Sequence, residues 1–467
     1  MKINRLKRTL TLSFFLTVST VLFAQQRYEF SVKECVEYAS KNNLQVKNAL
    51  LGIRIQEQTN KEYTALAYPR LGASVGVNYF PQVATQVFPN FIAMATYGVL
   101  NQEGVKNGSG NTIQMPADVG YVNAKFGTTY NASAGFDFSQ ILFDGQVFIG
   151  LQARAAALDL SRKSAALTEE NIKVNIHKIY YQLIASKIQL GSLDANIDRL
   201  EKLKREAQIL YQNGFAEKLD LDKLEVTLSN LKTEKEKIVR QIETGYLGLK
   251  FLMGMPLADL LVLTENLTEE DLKTVGIEDQ FKYADRKEIQ QIEVAAQLGE
   301  FNVRRYELSQ VPTLAMFGQY STNAQRNDFS FLDGNKKWFP SSLIGVKMSV
   351  PIFQGFATKA HIQKAKYELE QTLNNKQLLE QSIDFEVAQA KVKYRNAIVA
   401  MDAQKKNRQL AENVYQLTTK KYGQGLGSNL EVTNAQSELR VAENNYYNAL
   451  YDAIIAKVDL LKATGKL

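Results

Sequence analysis

Cysteine and histidine are nearly missing from this 467-residue sequence. Cys35 is the only thiol, and His177 and His361 are the only imidazoles. A single cysteine excludes an internal disulfide and a cysteine-rich metal site. Two histidines leave little scope for histidine-based metal or acid–base chemistry. No Gly-rich phosphate loop is present, and neither histidine lies near a Ser or Cys nucleophile motif. No enzyme, cofactor or metal site is therefore expected. Excess charge of one sign is also lacking. The formal charge is +7, and the N-terminal Lys2, Arg5, Lys7 and Arg8 supply four of it, so +3 (7 − 4) remains without them. That balance gives no support to nucleic-acid binding.

Long apolar runs are scarce as well. The stretch from Leu10 to Phe23 follows the basic cluster and ends beside the small residue Ala24. It reads as an export signal over 1–24, with the mature chain starting near Gln25. A retained membrane anchor is the alternative. No cysteine stands at the cleavage point to signal a lipid anchor. Beyond the signal no apolar run reaches the length of a membrane helix, so an exported chain is periplasmic, secreted or inserted as a β-barrel.

Proline is confined. All eight prolines lie outside residues 117–255 and 352–467, which are free to be helical. Apolar residues there alternate by four and three: Ile172, Ile176, Ile179, Leu183; then Leu221, Leu224, Leu228, Leu231; then Ala435, Leu439, Ala442, Tyr446. This spacing predicts helices packed as coiled coils. A helix from Gly145 to about Tyr211 would be on the order of 100 Å long at 1.5 Å per residue. The order also recurs. Ile141-Leu-Phe-Asp-Gly145 resembles Pro351-Ile-Phe-Gln-Gly355, and Tyr211-Gln-Asn-Gly214 resembles Tyr422-Gly-Gln-Gly425. Gly254 and Gly465 keep the same offset. Two copies of one unit follow: 25–263 and 285–467, joined by a charged linker over 264–284. Each unit reads helix, strand, loop, strand and helical hairpin, with hairpins over 145–254 and 355–464.

Four segments alternate with period two, over about 71–80, 129–143, 312–321 and 342–353. Leu71, Ala73, Val75 and Val77 oppose Gly72, Ser74 and Gly76; Ala132, Ala134 and Phe136 oppose Ser133, Gly135 and Asp137; Ile344, Val346 and Met348 oppose Gly345 and Lys347. Each is about the 10 residues of a tilted membrane strand. Strands of a soluble sandwich are the competing reading. The intervening 81–128 and 322–341 read as long polar loops. Four strands cannot close a water-filled barrel, and lipid forbids open edges. Three chains would give twelve strands and an open lumen, with Asp137 and Lys347 facing it and outer-membrane lipid outside. The expected fold is thus α+β: a trimeric barrel, four strands per chain, leading into a long helical barrel.

The N-terminal Phe30-Ser-Val-Lys-Glu-Cys-Val-Glu-Tyr-Ala-Ser-Lys-Asn-Asn-Leu44, the Phe-x-Gly turns at 143–145 and 353–355, and the Tyr-x-x-Gly turns at 211–214 and 422–425 resemble the TolC-like outer-membrane efflux proteins. The resemblance covers essentially the whole mature chain. It implies an outer-membrane homotrimer with a twelve-stranded barrel and a twelve-helix periplasmic tunnel, docked to a periplasmic adaptor and an inner-membrane pump. It makes Gly214 and Gly425 the tip turns, and it makes Asp220 and Glu431, with Tyr211 and Tyr422, the candidate periplasmic gate. Helix-start carboxylates favoured by the helix dipole are the other reading of the two acids. Where family members carry a basic residue and a further acid after the second turn, this chain has Gly427 and Asn434, so a salt-bridge latch is not expected. Small-molecule efflux is the expected function. Type I polypeptide secretion and a periplasmic coiled-coil adaptor are the rivals.

Overall fold

The computed structural model describes residues 27–265, 269–273 and 281–467. The expected signal over 1–24 lies outside the described residues, as do 266–268 and 274–280 of the expected linker over 264–284. In chain order the elements are β1 (Arg27–Phe30), α1 (Val32–Asn42), α2 (Leu44–Ala65), β2 (Arg70–Tyr79), β3 (Thr85–Pro89), α3 (Phe91–Gln102), β4 (Tyr121–Lys125), β5 (Tyr130–Phe143), α4 (Gly145–Gln212), α5 (Lys218–Met253) and β6 (Leu260–Leu263). They continue with α6 (Glu269–Lys273), α7 (Lys287–Leu308), β7 (Thr313–Arg326), β8 (Phe339–Ser349), α8 (Ala357–Gly423) and α9 (Asn429–Ala463). Two compact units result. One holds the described residues up to Gln58 with 154–300 and 366–467; the other holds 59–153 and 301–365.

The helical unit is built on the four-and-three spacing. Leu221, Leu224, Leu228 and Leu231 of α5 are buried against Leu193, Ile197, Leu200 and Leu203 of α4, and Tyr415 of α8 and Val432, Ala435 and Leu439 of α9 close the same cluster. Each leucine taken out of water contributes about 1.5–3 kcal/mol. A second cluster joins α1, α4, α5 and β6 around Ile176, Tyr180, Leu249 and Cys35. Burial pushes the Cys35 thiol up to about 12, which makes it an inert packing residue. The Tyr180 hydroxyl donates to the Phe30 carbonyl at 3.1 Å and accepts from the Glu265 amide at 3.2 Å. The single helix expected before β2 is two helices, because Asn43 interrupts it. Its Oδ1 accepts the amides of Gln45 and Val46 at 2.7 and 3.1 Å, capping α2.

The helix ends explain the glycine spacing. Gly214, Gly254, Gly425 and Gly465 all have positive φ, between 68° and 79°. At each the following amide reaches back five residues: Phe215 to Leu210, Met255 to Lys250, Leu426 to Lys421 and Lys466 to Leu461, at 2.8–3.0 Å. This is the Schellman closure of a helix, and the left-handed residue favours glycine. The four ends pair at an interval of 211 residues, and the helices before them, 68 and 36 residues long, are matched by 67 and 35.

The strand unit holds an antiparallel sheet in the order β2-β5-β7-β8. Its register aligns Val75 with Ala134, Ala134 with Thr322, Phe136 with Tyr320, and Met316 with Val346. Period-two alternation on each strand therefore becomes one apolar face across all four. Val75 is 82% exposed, Ile344 77% and Phe136 56%. Among the described residues its buried cluster lies at one end, where Phe331 and Trp338 pack on Ala132, Ala324 and Tyr130. Three expectations are corrected here. The segment 81–128 is not a plain loop, because β3 and β4 pair as an antiparallel hairpin around α3. The strand expected to stop at 321 runs to Arg326, held by pairing through Tyr130↔Arg326. The strand expected over 342–353 begins at Phe339 and ends at Ser349, ahead of Pro351, which lacks an amide for the ladder.

Candidate functional site

Two surfaces carry the residues singled out from the sequence: the hairpin tips of the helical unit and the polar face of the sheet. At the tips, Gly214 follows Tyr211 and Gly425 follows Tyr422, with amide-to-carbonyl bonds of 3.0 Å in both. An added Cβ at either glycine would meet open space, so the requirement there is conformational alone. Asp220 and Glu431 occupy the same position, the third residue of α5 and of α9. There the helix dipole and unpaired amides favour a carboxylate. The two starts differ in detail. Ser428 caps α9 by accepting the Glu431 amide at 3.3 Å, whereas Glu217 makes no side-chain cap for α5.

The tyrosines also differ. Tyr211 is exposed, while Tyr422 packs against the α4–α5–α8–α9 cluster. Burial raises the Tyr422 hydroxyl above its ordinary value, and the nearby Asp220 and Glu206 carboxylates add to the effect. The fold thus brings Tyr422 beside Asp220, from different hairpins. Glu431 stays exposed, next to Gly427. Asn434 is exposed and uncharged.

Behind the tips a polar cluster crosses the apolar seam. Glu443 of α9 accepts from Asn196 at 2.5 Å, Ser192 at 2.9 Å and Arg199 at 3.3 Å. Gln436 donates to Asn196 Oδ1 at 2.7 Å, and Arg199 reaches Glu412 of α8 at 3.6 Å. Asn196, Gln436 and Glu443 are buried. Three helices are thereby fixed in register, since buried polar groups tolerate few alternative pairings. The spacing of these residues gave no warning, because they occupy seam positions that an apolar pattern leaves unread. A buried cation, Arg286, donates to the Ala463 carbonyl at 2.8 Å and to Glu288 and Glu386 at 3.1 and 2.9 Å, capping α9.

On the sheet, Asp137 lies opposite Gly72 and Gln319, and Lys347 lies opposite Ala315. The register puts both on the polar face with Ser133, Ser321 and Asn323. Phe317 and Leu343 interrupt it. Among the described residues no group of His, Cys, Asp and Glu could hold a metal ion, and no helix is long and apolar enough to cross a membrane.

One feature of the helical unit escaped the sequence reading. Leu378, Phe385, Val392 and Val399 of α8 are spaced by seven and all exposed. Leu219 and Val226 of α5 are also seven apart and exposed, and Leu247 is exposed three heptads further on, beyond the polar Thr233 and Arg240. On α8 this is a second apolar stripe, separate from the buried seam. Its signal is the same heptad in another register, which single-seam counting passes over.

Residues 283–466 match the family model described as "Outer membrane efflux protein". The chain is similar to the TolC-like outer-membrane efflux proteins over most of its length. It is 18% identical over 337 residues to the outer membrane protein TolC of Vibrio cholerae, covering 72% of this chain and 77% of that one. It is 23% identical over 336 residues to the alkaline protease secretion protein AprF of Pseudomonas aeruginosa, covering 70% and 68%. The solved structure of CusC superposes with a TM-score of 0.74 at 17% identity, covering 93% of this chain and 92% of that one. The shared fold extends over 93% of this chain, and the matching family model and the TolC relative are both described as outer-membrane proteins.

Proposed function

We propose that this chain is one subunit of a homotrimeric channel, the passive exit duct of a tripartite efflux system. The single observation that carries the reading is the four-stranded sheet with an apolar face bared across every strand and two open edges, β2 and β8. Unpaired edge amides and carbonyls find no partner in hydrocarbon, so the edges must pair with other copies. Three copies joined β8 to β2 give twelve strands in a closed barrel with an open lumen. The apolar face then meets lipid, and the polar face, with Asp137 and Lys347, meets water. The bare heptad of α8 supports the same assembly, since another copy would supply a matching stripe for a twelve-helix tube. The equal spacing of the four glycine helix ends supports two internal repeats per copy.

The duct itself performs no catalysis. It carries no phosphate-binding loop, so the work of transport falls to an inner-membrane pump, linked by a periplasmic adaptor at the helical tips. Asp220 and Glu431, three copies of each, would ring the periplasmic entrance and draw cations while repelling anions. The leading cargo is small molecules. The likeness to AprF, a protease secretion protein, favours a second reading as the outlet for an exported polypeptide. An ATP-driven pump encoded beside the gene would support that reading, and a proton-driven one the first.

Purified protein reconstituted in a planar bilayer tests the proposal. Detergent-dependent trimers and stepwise conductance are expected. A monomer freely soluble without detergent and without conductance would overturn it. In the same bilayer, Asp220→Asn combined with Glu431→Gln should weaken block by added divalent cations. Unchanged block would remove the gate assignment and leave the channel.

A further inference from the structure

The outer-loop helix α3 has the sequence Phe-Ile-Ala-Met-Ala-Thr-Tyr-Gly-Val-Leu-Asn-Gln, with no charged residue and none buried. Phe91, Ile92 and Val99 lie exposed on it. A short helix this apolar is stable only when something covers it. Lipid is a poor candidate. Helices that lie in a membrane interface carry a polar face rich in Lys or Arg, and this one has neither. Its 12 residues are also too few to span a bilayer, which takes about 20.

A second bare surface stands at the same end of the sheet. Between β7 and β8 the buried Arg326 donates to the carbonyls of Ser330 and Lys336 and lies over the Phe331 ring at 5.3 Å. Phe331 and Trp338 turn inward onto Ala132 and Ala324. The loop is thus fixed from within, and it holds Leu332 96% exposed and Phe329 65% exposed. A nearly bare leucine on a rigid loop has already lost the freedom that ordering on contact would otherwise remove.

Topology brings the two together across copies. β2 and β8 are the sheet's edges. β2 ends at Tyr79, just before the segment that carries α3, and β8 starts at Phe339, just after the Leu332 loop. Antiparallel pairing of β8 with β2 of the next copy sets those two ends side by side. We propose that α3 of each subunit packs on Phe329 and Leu332 of the adjacent subunit, a head-to-tail clasp repeated around the ring. The inference rests on the trimeric reading above. It makes the outer mouth of the channel an interlocked collar of three such contacts.

Oxidative cross-linking in detergent-solubilised full-length protein tests this. Cys35 is fully buried and does not compete. The double variant Ile92→Cys/Leu332→Cys should give disulfide-linked dimers and trimers on a non-reducing gel. Either single variant should give none. The variant Ile92→Ser/Val99→Ser should lower the temperature at which the trimer dissociates while leaving its circular dichroism unchanged. Trimers in which the double variant stays uncross-linked would overturn the clasp and spare the trimeric reading. So would cross-linking by Ile92→Cys alone, which would mean that α3 meets its own copies, and so would labelling of Ile92→Cys only by a lipid-soluble maleimide. Absence of trimers in the unmodified protein would overturn both.

Discussion

Two glycines with the same backbone conformation separate two kinds of constraint. Gly214 has φ 79° and Gly254 has φ 68°. Around Gly214 an added methyl meets open space, while at Gly254 it would come within 2.5 Å of the Asn42 carbonyl oxygen and 3.0 Å of Asn43 Cα. Gly214→Ala should therefore cost about 1–2 kcal/mol, the penalty for a left-handed alanine. Gly254→Ala should cost about 3 kcal/mol or more, because the clash is with backbone that cannot rotate away. Urea unfolding of both variants at one protein concentration checks the difference. His177 supplies a pH effect at the same scale. Burial lowers its pKa, partly offset by its Nδ1–H donating to the Lys173 carbonyl at 2.8 Å. Below the ordinary histidine value of about 6.5 the unfolded chain takes up a proton that the folded site resists. Stability is therefore present above that value and falls as pH drops toward the depressed folded one. His177→Gln should flatten this slope in melts run between pH 7.5 and 5.5.

At the scale of elements, the polar cluster on Glu443 is the most exposed to a single change. Glu443→Ala would leave Asn196 and Ser192 without their acceptor and Arg199 with Glu412 alone, and a buried polar group left unsatisfied costs about 1–3 kcal/mol. A correspondingly lower melting temperature is expected, with the strand unit's tryptophan signal unchanged, since Trp338 lies in the sheet cluster. Much of the element layout was legible beforehand. Alternation at Leu71–Val77 and Ile344–Met348 spoke directly of strands, because one face of each had to be apolar. Leucines at 221, 224, 228 and 231 spoke of a packed helix. The hairpin and helix within 81–128 were not legible. Its glycines and asparagines look like loop, and α3 has no amphipathic pattern to mark it as a helix. Nor were the two chemistries that fasten equivalent helix ends. Asn43 Nδ2 donates to the Leu252 carbonyl at 2.6 Å, Arg286 does the same for Ala463, the carbonyl 211 residues beyond Leu252, and neither donor stands near those ends in the chain.

For the whole molecule, the bare stripe on α8 makes the sharpest forecast. Phe385 is 67% exposed midway along it. Phe385→Glu should add a charge where the next subunit has to pack. The expected outcome is a protein with unchanged helical circular dichroism that elutes as monomer in detergent, read by light scattering. Persistence of the trimer would move the subunit contact elsewhere. The sequence could suggest an oligomer only through the arithmetic of strands. The exposed stripe proposed as the contact surface lay hidden in a second heptad register, overshadowed by the stronger buried one.

That uncovered stripe also bears on how such a protein comes into being. A newly exported chain carries its adhesive surfaces from the outset and meets its sister chains only later. During that interval the leucines and phenylalanines that would hold the proposed ring together invite clumping with any neighbour. Assembly is thus a race against time and concentration, and escorts that shield greasy surfaces would decide how much of each batch arrives.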